Sequence, residues 1–104
     1  MRLRRDLFRD VIARQLELFV EDEADLLEEC RDKFRVYNGA AREEAEEAYG
    51  DWADVVETAT ETLADMRDRF ARTLEEDAAE TYKGSFNRAV RKRWPELGLE
   101  IENR

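Results

Sequence analysis

Between Ala45 and Phe70 the chain places an apolar side chain at every third or fourth position, a regularity that few folds accommodate. The steps alternate between four and three along Ala45, Tyr49, Trp52, Val56, Ala59, Leu63, Met66 and Phe70. Such a run keeps one face of an α-helix apolar for about four heptads, and it favours packing at a shallow angle against a second helix. The sequence therefore predicts a long helix with a coiled-coil-like seam.

A second apolar run precedes this one and predicts the partner helix. Its members are Phe8, Ile12, Leu16, Phe19, Leu27, Cys30, Phe34 and Tyr37. Glu23 interrupts the run in the middle, and Asn38-Gly39 is the first stop signal after it, because both residues tolerate the left-handed conformation that often ends a helix. We expect helix one over about 3–37 and helix two over about 40–83, paired as a long antiparallel hairpin.

The C-terminal quarter of the chain contains its own helix start and stop signals. Gly84 is a candidate cap for the end of helix two, and Ser85 is a candidate cap for the start of a third helix. That short helix is expected over about 85–94, and Pro95 is expected to close it. The tail, 96–104, alternates apolar and other side chains, as a short extended segment would. Its apolar members are Leu97, Leu99 and Ile101.

Length and composition fit one all-α domain. At 104 residues the chain suffices for a single compact unit, which we place at residues 1–95. Four glycines and one proline are too few for the many turns of a sheet protein, whereas alanine, leucine, glutamate and arginine favour helices. The predicted fold is therefore a long antiparallel helical hairpin with a short C-terminal third helix.

The absence of histidine narrows the chemistry that the chain can perform. It removes the common zinc and haem ligand sets and the histidine-dependent catalytic groupings. The single cysteine, Cys30, falls on the apolar run, where a buried side chain is expected. We predict no catalytic residue and no cofactor. No apolar run reaches the roughly 18 residues of a membrane span, and the charged N-terminus differs from a signal peptide, so a cytoplasmic protein is expected.

Charge is unevenly distributed along the chain. The net charge is −9, yet residues 83–95 carry five basic and no acidic side chains, and residues 1–14 are also basic. In an antiparallel hairpin these two segments would meet at one end and form a basic pole. Its predicted members are Arg4, Arg5, Arg88, Arg91, Lys92 and Arg93. The pole could pair with acidic residues of neighbouring helices or bind an acidic partner, whereas the net charge and the missing reading helix disfavour nucleic acid.

A cluster of glutamates in the segment AAREEAEEAYGDW offers a candidate metal site. Glu43, Glu44 and Glu47 resemble the first metal-binding motif of the MazG-like nucleotide pyrophosphohydrolases. The resemblance implies a magnesium-dependent nucleotide hydrolase with a second acidic motif on a facing helix. The nearest counterparts of that second motif, Glu61 with Asp65 and Asp65 with Asp68, fall instead on the same predicted helix. A helical wheel also puts Glu43 and Glu47 opposite the seam, where a solvated face is expected.

The predicted turn carries a second resemblance. Tyr37-Asn38-Gly39 lies where the small secreted helical hairpins of type VII export systems have Trp-x-Gly, and the alanine- and aromatic-rich run that follows is also similar. The resemblance implies a secreted hairpin protein. The first aromatic is tyrosine in this chain, and Phe86 stands where the export signal has an acid.

These patterns favour a function in protein assembly. The seam side chains expected to carry it are Tyr49, Trp52, Val56, Leu63, Met66 and Phe70. Helix one also has apolar side chains off its main run, which need a second partner: Leu7, Val11, Leu18, Val20 and Leu26. We interpret the chain as a non-enzymatic adaptor, scaffold or assembly subunit. It would bind a protein partner, or a second copy as a homodimer, through the seam and the basic pole.

Overall fold

A computed structural model describes residues 7–104, apart from the side chains of residues 98–100. The described part is all-α and contains no strand, as the composition predicts. Its helices are α1 (Arg9–Asp22), α2 (Ala24–Asn38), α3 (Ala45–Ala71), α4 (Glu76–Arg93) and α5 (Pro95–Ile101). A 3-10 turn, Arg42–Glu44, precedes α3.

The predicted hairpin is present, and α2 and α3 form it. The Sγ of Cys30 donates a hydrogen bond across the pair to the carbonyl oxygen of Val55 at 3.6 Å. α2 ends where the sequence indicates, and the N–H of Gly39 bonds to the carbonyl oxygen of Arg35 at 3.1 Å. Gly39 has a φ of −103°, so the turn closes without the left-handed conformation on which the prediction relied. α3 begins at Ala45, later than expected, after the 3-10 turn.

Helix one is in fact two helices, so the prediction of a continuous helix over 3–37 is wrong. Residues 3–6 of that prediction lie outside the described part. The break is confined to Glu23, whose backbone lies at φ −116° and ψ 34°. Its N–H still bonds to Phe19 and its carbonyl still accepts from Leu27, so the chain bends without a loop. Glu23 takes an inward position of the apolar run, and burying a carboxylate without a partner is costly. The bend leaves Glu23 half-buried.

A chain reversal separates α3 from α4, and the prediction of one helix through residue 83 is wrong. α3 ends at Ala71, and the Oγ1 of Thr73 donates to the carbonyl oxygen of Phe70 at 2.7 Å. Glu75 has extended backbone at ψ 167°, and its side chain caps α4 by accepting from the N–H of Ala78 at 3.3 Å. The reversal is favoured because it buries one row of α4 completely. That row is Tyr82, Phe86 and Val90, all 0% exposed.

The C-terminal elements also differ from expectation. α4 begins well before residue 85, so the helix predicted over 85–94 starts too late, and Gly84 lies inside α4 rather than at a boundary. Pro95 does not close a helix but starts α5, because the first helical position tolerates a residue without an N–H. The tail is helical rather than extended, since Leu97 and Ile101 are four residues apart and both are buried on one face of α5.

α4 returns along α1 and completes a three-helix unit with α3. Ring contacts join Phe8 to Tyr82 at 5.4 Å and Phe19 to Trp94 at 5.5 Å, so α1 and α4 run in the same direction. α4 therefore runs antiparallel to α3, and Tyr82 also meets the ring of Phe70 at 4.7 Å. Aromatic pairs of this kind contribute about 0.5 to 1.5 kcal/mol beyond their buried area. Aromatic contacts as well as aliphatic packing thus hold the three helices together.

A buried arginine fixes the C-terminal segment in place. Arg67 is 3% exposed although it carries a charge. Its guanidinium donates to the side chains of Asp68 at 2.8 Å and Asn87 at 2.9 Å, and to the carbonyl oxygen of Ile101 at 3.1 Å. Because a buried charge is stable only when it is hydrogen-bonded, this network specifies one position of α4 and α5 on α3.

The molecule has a thick part and a thin part along its 51 Å length. We call residues 31–54 the arm and the other described residues the body. α4 and α5 cover α3 in the body, whereas the arm consists of α2 and α3 with only the start of α5 at its base. Among the described residues, Ala48 is the one buried apolar side chain of the arm, and the others lie in the body. The hydrophobic core is therefore confined to the body.

Candidate interaction surface

Most of the predicted seam is used inside the molecule. Val56 and Leu63 are 5% and 0% exposed. The half-buried members, packed against the same core, are Trp52, Met66 and Phe70. Tyr49 differs from them because it is 50% exposed. Among the predicted seam side chains, the one most open to solvent therefore lies at the N-terminal end, in the arm.

A second row of side chains on α3 shows where the cover of the helix stops. In the body, where α4 and α5 contact α3, this row is buried: Thr60, Ala64, Arg67 and Ala71. At steps of three and four the row continues through Val56 to Ala53 and Tyr49 in the arm. Ala53 is half-buried and Tyr49 is exposed, because α5 reaches only as far as the pocket that Glu96 shares with Trp52. The same helical row is thus covered in the body and open in the arm.

Four aromatic rings gather on the arm and form what we call the aromatic patch: Phe34, Tyr37, Tyr49 and Trp52. Tyr37 stacks on Trp52 with ring centroids 5.9 Å apart and planes 7° from parallel. Phe34 meets the ring of Trp52 at 5.4 Å. Tyr49 meets Tyr37 at 5.4 Å and Trp52 at 5.9 Å. Phe34 is 45% exposed, so two members of the patch, Phe34 and Tyr49, are open to solvent.

Trp52 carries an unsatisfied donor at the centre of the aromatic patch. Its Nε1 is buried, and no described group accepts a hydrogen bond from it. A buried donor without a partner costs about 1 to 3 kcal/mol. The patch is therefore less favourable in the isolated chain than its ring contacts alone would indicate.

A pocket of about 320 Å³ opens where the arm joins the body. Its lining residues are Cys30, Arg31, Phe34, Arg35, Trp52 and Glu96. Burial raises the pKa of the Cys30 thiol, and the carboxylates of Glu29 and Glu96 raise that pKa further, so the thiol is protonated at neutral pH. Cys30 is 6% exposed, as its place on the apolar run predicts. The pocket thus combines an apolar floor with arginines at its rim.

The two edges of the arm carry opposite charges beside the aromatic patch. On the α2 edge, Arg31 and Arg35 line the pocket next to Phe34, and Arg35 also pairs with Asp32. On the α3 edge, a row at steps of three and four runs past Tyr49. Within the arm that row is Glu46, Gly50 and Ala53, and Glu46 is exposed. The next residue of the row, Glu57, lies in the body and pairs with Arg104 at 3.5 Å. A helix lying on the patch would meet guanidinium groups on one side and the carboxylate of Glu46 on the other.

The predicted basic pole forms only in part. Two of its members lie outside the described residues: Arg4 and Arg5. The others lie together in the C-terminal part of α4: Arg88, Arg91, Lys92 and Arg93. Because α4 runs beside α1 in the same direction, the end of α4 lies beside Glu17 and Phe19 in the second half of α1 instead of beside the start of that helix. Arg91 pairs with Glu102, and Arg93 pairs with Glu17 at 3.4 Å.

α1 and α4 enclose a groove of about 390 Å³ that contains part of this basic segment. The groove floor is apolar and consists of Ile12, Ala13, Leu16 and Ala89. The rim is polar and consists of Arg9, Glu17, Ser85, Arg88 and Arg93. Arg88 and Arg93 of the predicted pole thus line one groove together with Arg9 of α1.

The acidic cluster does not assemble into a compact site. Glu43 and Glu44 lie in the 3-10 turn and Glu47 lies in the first turn of α3, all three exposed. Glu61 and Asp65 lie further along α3 itself, as the sequence predicts. In the part of the chain that the structure describes, no group of three or more acidic or cysteine side chains is placed to hold a metal ion.

None of the helices within residues 7–104 combines the length and the apolar character needed to cross a membrane. No family model, curated protein or solved structure matches the chain.

The structure exposes Phe34 and buries Arg67, and neither was expected from the sequence patterns. The apolar run of helix one predicts that Phe34 is buried, and its exposure depends on where α5 stops, which no pattern within helix one shows. Arg67 was not expected at a buried position. A signal for it does exist, since it is the lone charged residue in a row of small side chains on α3.

Proposed function

We propose that the chain is a non-enzymatic helical interaction protein, an adaptor or assembly subunit, whose arm receives one helix of a partner protein. The main support is the place where the layer formed by α4 and α5 stops. In the body this layer covers a row of α3, and the row continues into the arm with Tyr49 exposed. A partner helix would extend the layer and cover the aromatic patch.

A single helix fits this face better than a second copy of the chain does. If two copies faced each other with both arms pointing the same way, their α4 and α5 helices would collide, because these lie on the same side of α3 as the patch. If the arms pointed in opposite directions, the edge with Arg31 and Arg35 would face its own counterpart. Like charges brought together across an interface oppose association.

The charges of the arm specify the chemistry of the partner helix. Apolar side chains at positions i, i+3, i+4 and i+7 would lie on the aromatic patch, with one large side chain entering the pocket beside Phe34. Acidic residues would face Arg31 and Arg35, and a basic residue would face Glu46. Exposed aromatic side chains beside a pocket are the residues that most often dominate binding energy at interfaces.

Two charge insertions on α2 test the proposal as a matched pair. Phe34→Glu places a carboxylate on the patch. Val36→Glu places one at a position that is 61% exposed but lies about 200° around the helix from Phe34. The wild type and both variants would each be immobilised and used to capture binding proteins from an extract of the native cells. We expect the wild type and Val36→Glu to retain the same protein and Phe34→Glu to bind it at least 30-fold more weakly, about 2 kcal/mol.

Circular dichroism and urea unfolding of all three proteins would show whether the substitutions leave the fold intact. Equal capture by the three proteins would overturn the proposal. Light scattering at tens of micromolar supplies a second readout. A dimer that Phe34→Glu dissociates and Val36→Glu leaves intact would replace the partner helix with a second copy of the chain.

A separate assay tests the non-enzymatic part of the proposal. We expect no turnover of nucleoside triphosphates with magnesium, because Glu43, Glu44 and Glu47 are solvated and lie apart from other acidic groups on facing helices. Turnover that Glu47→Gln abolishes would overturn the non-enzymatic part of the proposal. The binding of a partner helix to the arm has its own test in the two charge insertions.

A further inference from the structure

The groove between α1 and α4 combines an apolar floor with a basic rim. Ala13 and Ala89 line the floor, and their short side chains leave the space open. The residues that line the groove span nine positions of each helix, 9–17 of α1 and 85–93 of α4. Each of these two walls is about 12 Å long at 1.5 Å per residue. The volume of about 390 Å³ is within the range of pockets that bind small molecules.

The arginines on the rim are poorly neutralised by the protein itself. Arg88 donates to the hydroxyl of Ser85 at 3.2 Å, and within the described residues it forms no ion pair with a carboxylate. The nearest carboxylate oxygen to Arg9 is that of Asp10 at 3.9 Å, and both side chains are largely exposed, so this pair contributes little. Arg93 is the exception, because Glu17 lies 3.4 Å away.

Within the described residues, Arg88 has no carboxylate partner and Arg9 has only that of Asp10 at 3.9 Å, and both arginines lie beside the same apolar floor. Such an arrangement is complementary to a molecule with an apolar chain and an anionic end.

We propose that the α1–α4 groove binds a free single-chain amphiphilic anion. Its alkyl chain would lie on Ile12, Leu16 and Ala89, and its phosphate or carboxylate group would be held by the guanidinium groups of Arg9 and Arg88. A free amphiphile fits better than an anionic bilayer, because the net charge of −9 repels such a surface at range. This site is separate from the arm and does not depend on the function proposed there.

Titration calorimetry with octyl, decyl and dodecyl phosphate below their micelle concentrations tests the chain preference. Each added methylene should tighten binding about fourfold until the alkyl chain is longer than the wall of about 12 Å. Decanol and decyltrimethylammonium, which lack the anionic group, should bind at least about tenfold more weakly than decyl phosphate. Decanoate should bind like decyl phosphate, because either anion can accept from guanidinium groups.

Two substitutions and a control locate the site. Arg88→Gln should weaken decyl phosphate about tenfold and leave decanol unchanged. Ala89→Leu should fill the floor and remove the dependence on chain length. Arg69→Gln is the control, because Arg69 is an exposed arginine of α3 outside the groove. Amide chemical shifts in the wild type should change mainly over 9–17 and 85–93, and urea unfolding would confirm that each variant is folded.

Several results would overturn the proposal. One is decanol binding as tightly as decyl phosphate, and another is decyl phosphate affinity that Arg88→Gln and Ala89→Leu both leave unchanged. Flotation with phosphatidylglycerol vesicles, without binding of decyl phosphate, would assign the groove to a bilayer surface instead. A dimer in light scattering that Ala89→Leu dissociates would assign it to a second copy of the chain.

Discussion

In the body, α3 contacts α4 and α5 as well as α2, whereas along the arm it is paired with α2 and meets α5 only at the base. Leu63 and Tyr49 belong to the same apolar seam, yet they are 0% and 50% exposed. Residue type therefore does not decide burial along this helix, and the number of neighbouring helices does. One amphipathic helix thus has two roles, since it builds a core in the body and presents an open aromatic face in the arm.

The largest expected difference between the two regions is in stability. Leu63→Ala should lower the free energy of unfolding by about 3 kcal/mol, because it removes a fully buried side chain and leaves a cavity. Tyr49→Ala on the same seam should lower it by less than about 1 kcal/mol. Urea unfolding followed by circular dichroism measures both values. Equal losses would show that Tyr49 is as well covered in solution as Leu63, and that the arm is part of the core.

The network around Arg67 should give the next largest effect. Arg67→Met leaves the carbonyl oxygen of Ile101 and the side chain of Asn87 without their donor, so we expect a loss of about 2 to 3 kcal/mol. Arg69→Met is the matched control on the exposed side of α3, and it should change stability by about 0.5 kcal/mol or less. Hydrogen exchange should also become faster in α5 of Arg67→Met. A loss confined to the arm amides would contradict the assignment of this network to the body.

Tyr82 makes the body sensitive to alkaline pH. Burial raises the pKa of Tyr82 from its ordinary value of 10 to about 12. Its hydroxyl donates a hydrogen bond to the Oε1 of Gln15 at 2.9 Å. The folded state therefore keeps the proton longer than the unfolded state, so the stabilisation is complete below pH 10 and is lost as the pH rises toward 12. The loss should be roughly 2 kcal/mol. In Tyr82→Phe this part of the pH dependence should disappear, and an unchanged profile would contradict the assignment.

The smallest expected effect is a gain of stability in the arm. Gly50 lies within α3, and a Cβ added there would meet nothing within 4 Å. Gly50→Ala should therefore raise the free energy of unfolding by about 0.5 to 1 kcal/mol through helix propensity. Gly84→Ala, within α4, is the corresponding change in the body. A loss at Gly50 combined with a gain at Gly84 would show that the arm is more crowded in solution than the structure indicates.

What the sequence could predict depends on spacing and on strong local signals. The all-α class follows from composition, the hairpin turn follows from Asn38-Gly39, and the burial of Leu63 and Cys30 follows from helical periodicity. Each of these features is decided within a few residues or by one face of one helix. The hairpin could therefore be derived without knowledge of the complete fold.

The reversal after α3 could not be derived in the same way. Thr73 and Leu74 continue the apolar run of the seam, and the segment contains neither glycine nor proline, so local patterns favour a longer helix. The chain turns because Tyr82, Phe86 and Val90 gain complete burial, which is a property of three packed helices.

The exposed face of the arm could not be predicted from the sequence for a related reason. An apolar row has the same spacing whether a neighbouring helix of the same chain covers it or not. The exposure of Phe34 and Tyr49 depends on where α5 begins and ends, and the alternating pattern of the tail gave no indication that α5 is a helix.

The continuity of α3 also determines which way the aromatic patch faces relative to the body. It continues without a break from the arm into the body for 27 residues, or about 40 Å. In a continuous helix each residue advances the side chain by about 100°, so inserting one residue near Asp54 would turn the aromatic patch away from the side on which α5 lies. The direction in which the aromatic patch faces relative to the body is therefore set by the number of residues in α3.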